Sequence, residues 1–329
     1  MDKEPAMVVI GGGTGLSTLL RGLKHHTERI TAIVTVADDG GSSGRIRSEL
    51  GIPPPGDIRN TLVALANTEP LMEQLFQYRF DWGEGLAGHS FGNLFIAAMT
   101  DITGDFEEAI RTSSQVLAVR GQVLPSTLTS VTLRAEYVDG STALGESLIP
   151  RSGKPIHRLS LEPQDCQPVE EAIAAIDNAD AIILGPGSLY TSVLPNLLVR
   201  EIREAILNSS APKVYVCNVM TQAGETDGYK ASDHVRALID HCGQGLIDYV
   251  IVNTGPIPET LLERYKQEGA VPVEPDIAAI KALGITPITA SVISMTDLVR
   301  HDPEKLAEVI SRLLWDDSGQ WKPPPWANL

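Results

Sequence analysis

The chain is poor in the features that mark several common protein classes. Its three cysteines, Cys166, Cys217 and Cys242, stand far apart, so sequence neighbours can build neither a disulfide framework nor a Cys-x-x-Cys metal site. They read as core thiols. No apolar run approaches the roughly 18 residues that a membrane-spanning helix needs. The start, MDKEPAMVVI, has no basic segment followed by a signal-type apolar core, so a cytoplasmic location is expected by default. Basic residues are also scarce. The 26 Lys and Arg against 42 Asp and Glu leave a formal charge of -16, which repels polyanions and argues against nucleic-acid binding. A small anion can still be held locally by backbone N–H groups and a few arginines. There is no internal repeat. With 43% hydrophobic and 21% charged residues, the chain has the balance of an ordinary globular protein, and its 329 residues suffice for a large core.

Patterning is predominantly of the α/β kind. Met7 to Ile10 is a short apolar run followed by GGGTGLSTLLRGL, where Leu16, Leu19, Leu20 and Leu23 recur at helical spacing. ITAIVTV (Ile30 to Val36) is the uninterrupted run expected of a buried parallel strand, and it ends in ADDGGSSGR. From Thr61 to about Gln122 the spacing is helical. After Leu128 the period becomes two: Val131, Leu133, Ala135 and Tyr137 alternate with polar residues before the Asp139-Gly140 turn, predicting a hairpin added to the sheet. RSGKPIHRLS reads as a basic connector with a solvated face. The α/β rhythm then resumes with strands at Ala181 to Leu184, Val214 to Asn218 and Tyr249 to Asn253, and helices over Val169 to Asn178 and about Ser232 to Cys242. Asp302 and Pro303 predict the start of a last helix with a stripe of Leu306, Val309, Ile310, Leu313 and Leu314. The expected fold is α/β: a modified Rossmann-like, doubly wound, mostly parallel sheet with an added antiparallel hairpin and a helical insertion. It is read as one domain over 1–318, with the insertion at about 57–122, the hairpin at about 127–149, and an irregular Pro/Trp tail at 319–329.

The candidate chemistry lies in the loops. Gly11, Gly12, Gly13, Thr14 and Gly15 sit where a dinucleotide fold places a pyrophosphate, although Leu16 breaks the G-x-G-x-x-G spacing and no Walker G-K-[ST] follows. A tight turn without a ligand is the alternative. Asp38 and Asp39 end the second strand, where an acid accepts from a ribose hydroxyl or holds a divalent cation with a phosphate; as adjacent loop acids they could equally be solvated. Gly41, Ser42 and Arg45 behind them suit an anion. Asp57, Arg59 and Asn60 follow the rigid PPPG turn, with Asp57 read as a helix cap or catalytic acid and Arg59 as a phosphate ligand. GHSFG matches G-x-S-x-G, but DWGEGLA before it is no strand, so a nucleophilic Ser90 is disfavoured while His89 and Asn93 remain candidate ligands. In GPGSLYTS, Gly185 and Gly187 allow close backbone approach, Ser188 and Thr191 supply hydroxyls, and Asn218 and Thr221 would face the same crevice from a neighbouring strand. His234 and His241 read as packing residues rather than metal ligands.

Eight segments in order, GGGTGL, VTVADDGGSSGR, PPPGDIRN, GHSFGN, VLPST, ADAIILGPGSLYTSVLPN, CNVMTQAGETDGY and VRHD, resemble the YvcK-type gluconeogenesis factors. That family shares a superfamily of modified dinucleotide folds with the 2-phospho-L-lactate transferases. The resemblance implies a regulatory binder of nucleotide sugars, with UDP-N-acetylglucosamine the expected ligand, needed for cell shape and for growth on gluconeogenic carbon. It carries over Tyr265 and Arg300 as ligand contacts and the glycine loops as phosphate or nucleotide contacts. Partner proteins of the cell envelope or of carbon metabolism are implied. One departure is Pro303 after VRHD, which has no hydroxyl to phosphorylate. The alternative is a transferase of a phospholactyl-type group, with Mg²⁺ on Asp38 or Asp39 and Asp38, Asp39 or Asp57 in the chemistry; a weaker one is an NAD-dependent oxidoreductase. No other cofactor is expected, and a homodimer is expected from the frequency of that assembly.

Overall fold

The computed structural model describes residues 4–67, 70–267, 269–294 and 299–315; the expected tail at 319–329 lies outside them. In chain order the first half runs β1 (Met7–Gly11), α1 (Gly13–Leu23), β2 (Ile30–Val34), α2 (Gly41–Leu50), α3 (Gly56–Leu65), α4 (Pro70–Gln77), α5 (Phe91–Thr103), α6 (Phe106–Val116), β3 (Gln122–Pro125), β4 (Thr132–Tyr137), β5 (Thr142–Leu144) and β6 (Ile156–Glu162). The second half runs α7 (Glu170–Asp177), β7 (Ala181–Leu184), α8 (Leu194–Leu197), α9 (Arg200–Asn208), β8 (Lys213–Val216), α10 (Ala231–Cys242), β9 (Tyr249–Asn253), α11 (Glu259–Gln267), α12 (Ile277–Ala282), β10 (Thr286–Ala290), β11 (Ile293–Ser294), β12 (Arg300–His301) and α13 (Pro303–Leu314).

Seven strands pair in parallel in the order β10-β9-β8-β7-β1-β2-β3. The apolar runs lack polar alternation because both faces of this sheet are covered. Along β1, Val8 and Ile10 enter one core with α7, α8, α9, α10 and the strands β4 and β6. Met7 and Val9 enter the other with α1, α3 and α13. Winding starts at the middle: β1, β2 and β3 proceed towards one edge, and β7 to β10 towards the other.

Several expectations change. The hairpin does not extend the main sheet; β5-β4-β6 form a separate antiparallel sheet. Val131, Leu133, Ala135 and Tyr137 are buried and the residues between them in β4 more open, a one-sided pattern that suits a small sheet laid on the core but not a strand covered on both faces. The supposed basic connector supplies β6, although Arg151, Lys154, His157 and Arg158 are exposed as expected. GGSSGR does not remain a loop. It opens α2, whose glycine content hid it, and Gly44 is required there because an added Cβ would lie 2.0 Å from the Asp39 carbonyl oxygen. The short strands β3 and β10 and the helices α11 and α12 had no expected counterpart. Asp302 caps α13 by accepting from the Glu304 and Lys305 amides, with Pro303 in the first turn, as the sequence indicates.

Candidate functional site

In an open α/β sheet, neighbouring strands whose chains leave in opposite directions create a crevice at their carboxyl ends. Here that switch point lies between β1 and β7, and the loops following them touch. A Cβ on Gly15 would lie 2.6 Å from the Pro186 carbonyl oxygen. Above this contact opens a polar cavity of about 660 Å³. Its walls include Gly12, Gly13, Thr14 and Gly15 from the first loop, Gly187, Ser188 and Thr191 from the second, and Asn218 and Thr221 after β8. Tyr265 and Arg300 stand on the same cavity, with Tyr265 Oη donating to the Val299 carbonyl at 3.2 Å. Gly11 and Gly185 lie just behind it: the Gly11 carbonyl accepts from Asn196 Nδ2 at 3.1 Å, and the Gly185 amide donates to Ile10.

Some donors expected to face a ligand are already engaged. Asp57 does not cap α3; it lies under the first glycine loop and accepts from the Gly13 amide. An added Cβ on Gly12 would come within 2.5 Å of Asp57 Oδ2 and 2.8 Å of the Thr35 methyl, so the loop is glycine here for lack of room. Ser188 Oγ donates to Glu225, while Thr191 Oγ1 lies 2.7 Å from Ser188 Oγ and 3.3 Å from Glu225 Oε1. Asn218 Oδ1 accepts from the Gly187 amide at 3.3 Å, tying the β7 and β8 loops together. Thr221 accepts from the Val271 amide at 2.9 Å.

Two carboxylates on this cavity, Glu146 and Glu225, were not among the sequence candidates. Burial, followed by the charges of Asp38, Asp57 and Asp39, pushes Glu146 up to about 8. Burial, followed by Asp38, raises Asp57 to about 6, against the opposing Gly13 hydrogen bond and Arg59. Burial also raises Glu225, against its bonds from Ser188 and Thr191. Glu225 belongs to the GETDGY segment and could have been chosen from it. Glu146 could not, because it follows an exposed β-turn sheet and reaches the cavity only through tertiary placement.

The remaining candidates gather elsewhere. Asp38 Oδ1 accepts from the Gly40 amide at 2.8 Å, and Asp39 Oδ1 from the Ser147 amide at 2.9 Å, so the two adjacent acids serve different segments. Among the described residues no group of three or more His, Cys, Asp or Glu is placed to hold a metal. Such carboxylates fit a Mg²⁺ shared with ligand phosphates rather than one caged by protein alone. Gly41 opens α2, and buried Ser42 lies 3.0 Å from His89 Nδ1 and 3.1 Å from Asn93 Nδ2. Arg59, expected on a phosphate, is buried instead, donating to Ser90 Oγ at 2.5 Å and to Asn60 Oδ1 at 2.6 Å. His234 and His241 are structural: His241 Nε2 accepts from the Leu159 amide at 3.0 Å, and His234 Nδ1 bonds the Lys230 carbonyl at 3.0 Å.

Ser90 is the N-cap of α5, fully buried and accepting from the Asn93 amide at 3.2 Å. Ser90→Ala removes a helix cap and strands a buried guanidinium, so a loss of about 2 kcal/mol is expected in urea unfolding, with ligand binding retained. Unchanged stability would contradict this structural role.

The fold and the cavity define a doubly wound α/β protein with an open crevice at the topological switch point. The family described as 2-phospho-L-lactate transferase CofD matches residues 7–293. The gluconeogenesis factor of Halalkalibacterium halodurans is 57% identical over 309 residues, covering 94% of this chain and 96% of that protein. That of Bacillus subtilis is 55% identical over 315 residues, covering 95% and 99%. The crystal structure of a UPF0052 family member from Bacillus halodurans superposes with a TM-score of 0.91 at 56% identity, covering 94% of this chain and 99% of that one. The chain belongs to the CofD family and, within it, to the YvcK-type gluconeogenesis factors.

Proposed function

We propose that the protein is a regulatory binder of a nucleotide sugar, of the UDP-N-acetylglucosamine kind, whose occupancy of the cavity is read by partner proteins. The observation that carries this reading is the meeting of two glycine loops at the switch point, beneath a polar cavity of about 660 Å³. That volume is within the range of roughly 300–1,000 Å³ typical of small-molecule sites. The first-turn amides of α1 beyond Gly13 offer donors to a diphosphate, since the opening N–H groups of a helix have no partners within it. Arg300 supplies a positive charge on the cavity wall, and Tyr265 an aromatic ring. In this reading the protein works in the cytoplasm as a homodimer, with partners drawn from cell-envelope or carbon metabolism.

UDP-N-acetylglucosamine at 100 times its dissociation constant is expected to stabilise the wild type by about 2.7 kcal/mol, seen as a rise in melting temperature. Arg300→Ala should lose most of that shift. Absence of stabilisation by any nucleotide sugar would end this reading.

The family match and the carboxylates around the first glycine loop also support a transferase. Its signature would be Mg²⁺-dependent release of a nucleoside monophosphate, abolished in an Asp38→Asn, Asp39→Asn double variant. Binding without such turnover favours the regulator.

A further inference from the structure

Helix α2 carries charges that the nucleotide cavity does not use. Arg45 and Arg47 line a second cleft of about 690 Å³, together with Ser48, Ser130, Thr132 and Asp39. In a chain of net charge -16, an arginine would ordinarily be drawn to a carboxylate. These are held by neutral groups. Arg47 Nη2 donates to the Val131 carbonyl at 2.6 Å and to Ser130 Oγ at 3.2 Å, while its Nη1 is enclosed with no partner among the described residues. Arg45 Nη2 donates to the Ala87 carbonyl at 2.8 Å. Two arginines from other elements meet the same turn: Arg79 Nη1 donates to the Gly88 carbonyl, and Arg59 Nη1 to Ser90 Oγ, both at 2.5 Å.

Arg59 is offset by the nearby Asp57 and Asp38 carboxylates, whereas the hydrogen bonds that Arg45, Arg47 and Arg79 make to carbonyls and hydroxyls satisfy geometry without an ion pair, so these three guanidinium groups build a local positive potential in an acidic protein. His89 lies between them: burial first, then Arg45, hold its imidazole below its ordinary value, against the opposing charge of Glu49. The one acid on the cleft wall, Asp39, directs Oδ1 to the Ser147 amide. That same bond fixes the segment dividing the two cavities, for Glu146 and Pro150, on either side of Ser147, face the nucleotide cavity.

We propose that the α2 cleft is a second binding site, taking a small molecule with a phosphoryl group. Paired guanidinium forks match tetrahedral oxyanions, and the hydroxyls of Ser130 and Thr132, which accept from Arg47, keep a proton to donate. Because Asp39 holds the shared divider through the Ser147 amide, a phosphoryl ligand that repels the Asp39 carboxylate would bear on the wall that carries Glu146.

Inorganic phosphate is the probe, titrated calorimetrically at low ionic strength into the full chain. The wild type should bind it, Arg45→Gln and Ser48→Glu should weaken it at least tenfold, and Arg300→Ala should leave it unchanged. Ser48 is exposed on α2, with its hydroxyl on the Arg45 carbonyl, so Ser48→Glu adds a charge to the cleft without opening the core. No heat with the wild type, or loss in Arg300→Ala with retention in Ser48→Glu, overturns the proposal; the latter result would place the phosphate in the nucleotide cavity. Stabilisation by UDP-N-acetylglucosamine should persist in Arg45→Gln and Ser48→Glu. Its absence already in the wild type would count against the nucleotide-sugar reading alone.

Discussion

Gly15→Val is expected to abolish stabilisation by nucleotide sugars and to cost about 3 kcal/mol of folding free energy, the upper part of the usual range for overpacking. The contact it would break joins backbone to backbone. A Cβ at this position lies 2.6 Å from the Pro186 oxygen, 2.8 Å from its carbonyl carbon and 2.9 Å from the Gly187 nitrogen, and no side chain can turn aside to relieve it. The loops after β1 and β7 would have to separate, opening the floor of the cavity. Gly51→Ala is the matched control. Gly51 is left-handed, with φ of 70°, and has no atom within 4 Å of its added Cβ, so only backbone strain of about 1 kcal/mol is expected, with binding intact. Equal urea midpoints and equal ligand shifts for the two variants would show that the loops do not bear on each other as described.

A second large effect is expected from Glu146→Gln as pH is raised. Glu146 titrates near 8 and Asp57 near 6, both above ordinary carboxyl values, so the native state retains protons that the unfolded chain has released. Their stabilising contribution is complete below the unfolded pKa values of 3.8 and 4.5, and is lost as pH rises first through about 6 and then through about 8. Wild-type stability should therefore fall across this window. Glu146→Gln removes the later loss, and by pH 9 the variant should be the more stable by on the order of 2 kcal/mol, after allowance for solvent at a partly open side chain. Ligand affinity should follow the same sign. Above pH 8 the Glu146 carboxylate opposes a diphosphate in the cavity, so wild-type affinity falls while that of the variant stays level. Denaturation and ligand titration at intervals from pH 5 to 9 check both; parallel curves for the two proteins would exclude Glu146 as the titrating group.

Much of the frame is legible without coordinates because burial on both faces writes itself as an unbroken apolar run. Ala181–Leu184 and Tyr249–Asn253 are strands with the bounds that their composition indicates, and the leucine stripe of α1 is buried where its spacing places it. Reading fails where composition and context disagree. GGSSGR has the residues of a turn, yet α2 forms there because Ile46 anchors one face and Gly44 must pass close to Asp39. Asp57 has the position of a cap, but the neighbouring glycine loop claims its carboxylate. Arg59, in a motif that suggests phosphate, is drawn into the core by Ser90 and Asn60.

By itself the sequence determined the doubly wound class, the parallel strands and the glycine loops at their carboxyl ends, because these follow from local periodicity and from the room that glycine leaves. Its motifs, taken in order, also indicated the family. Only the tertiary structure decided that β7 pairs with β1, so that two loops distant in the chain form one cavity floor. It alone divided the polar candidates between that cavity and the α2 cleft, and brought Glu146 to face Asp38 and Asp57. Strand pairing and charge proximity depend on contacts between residues remote in sequence, and no local pattern of side chains records them.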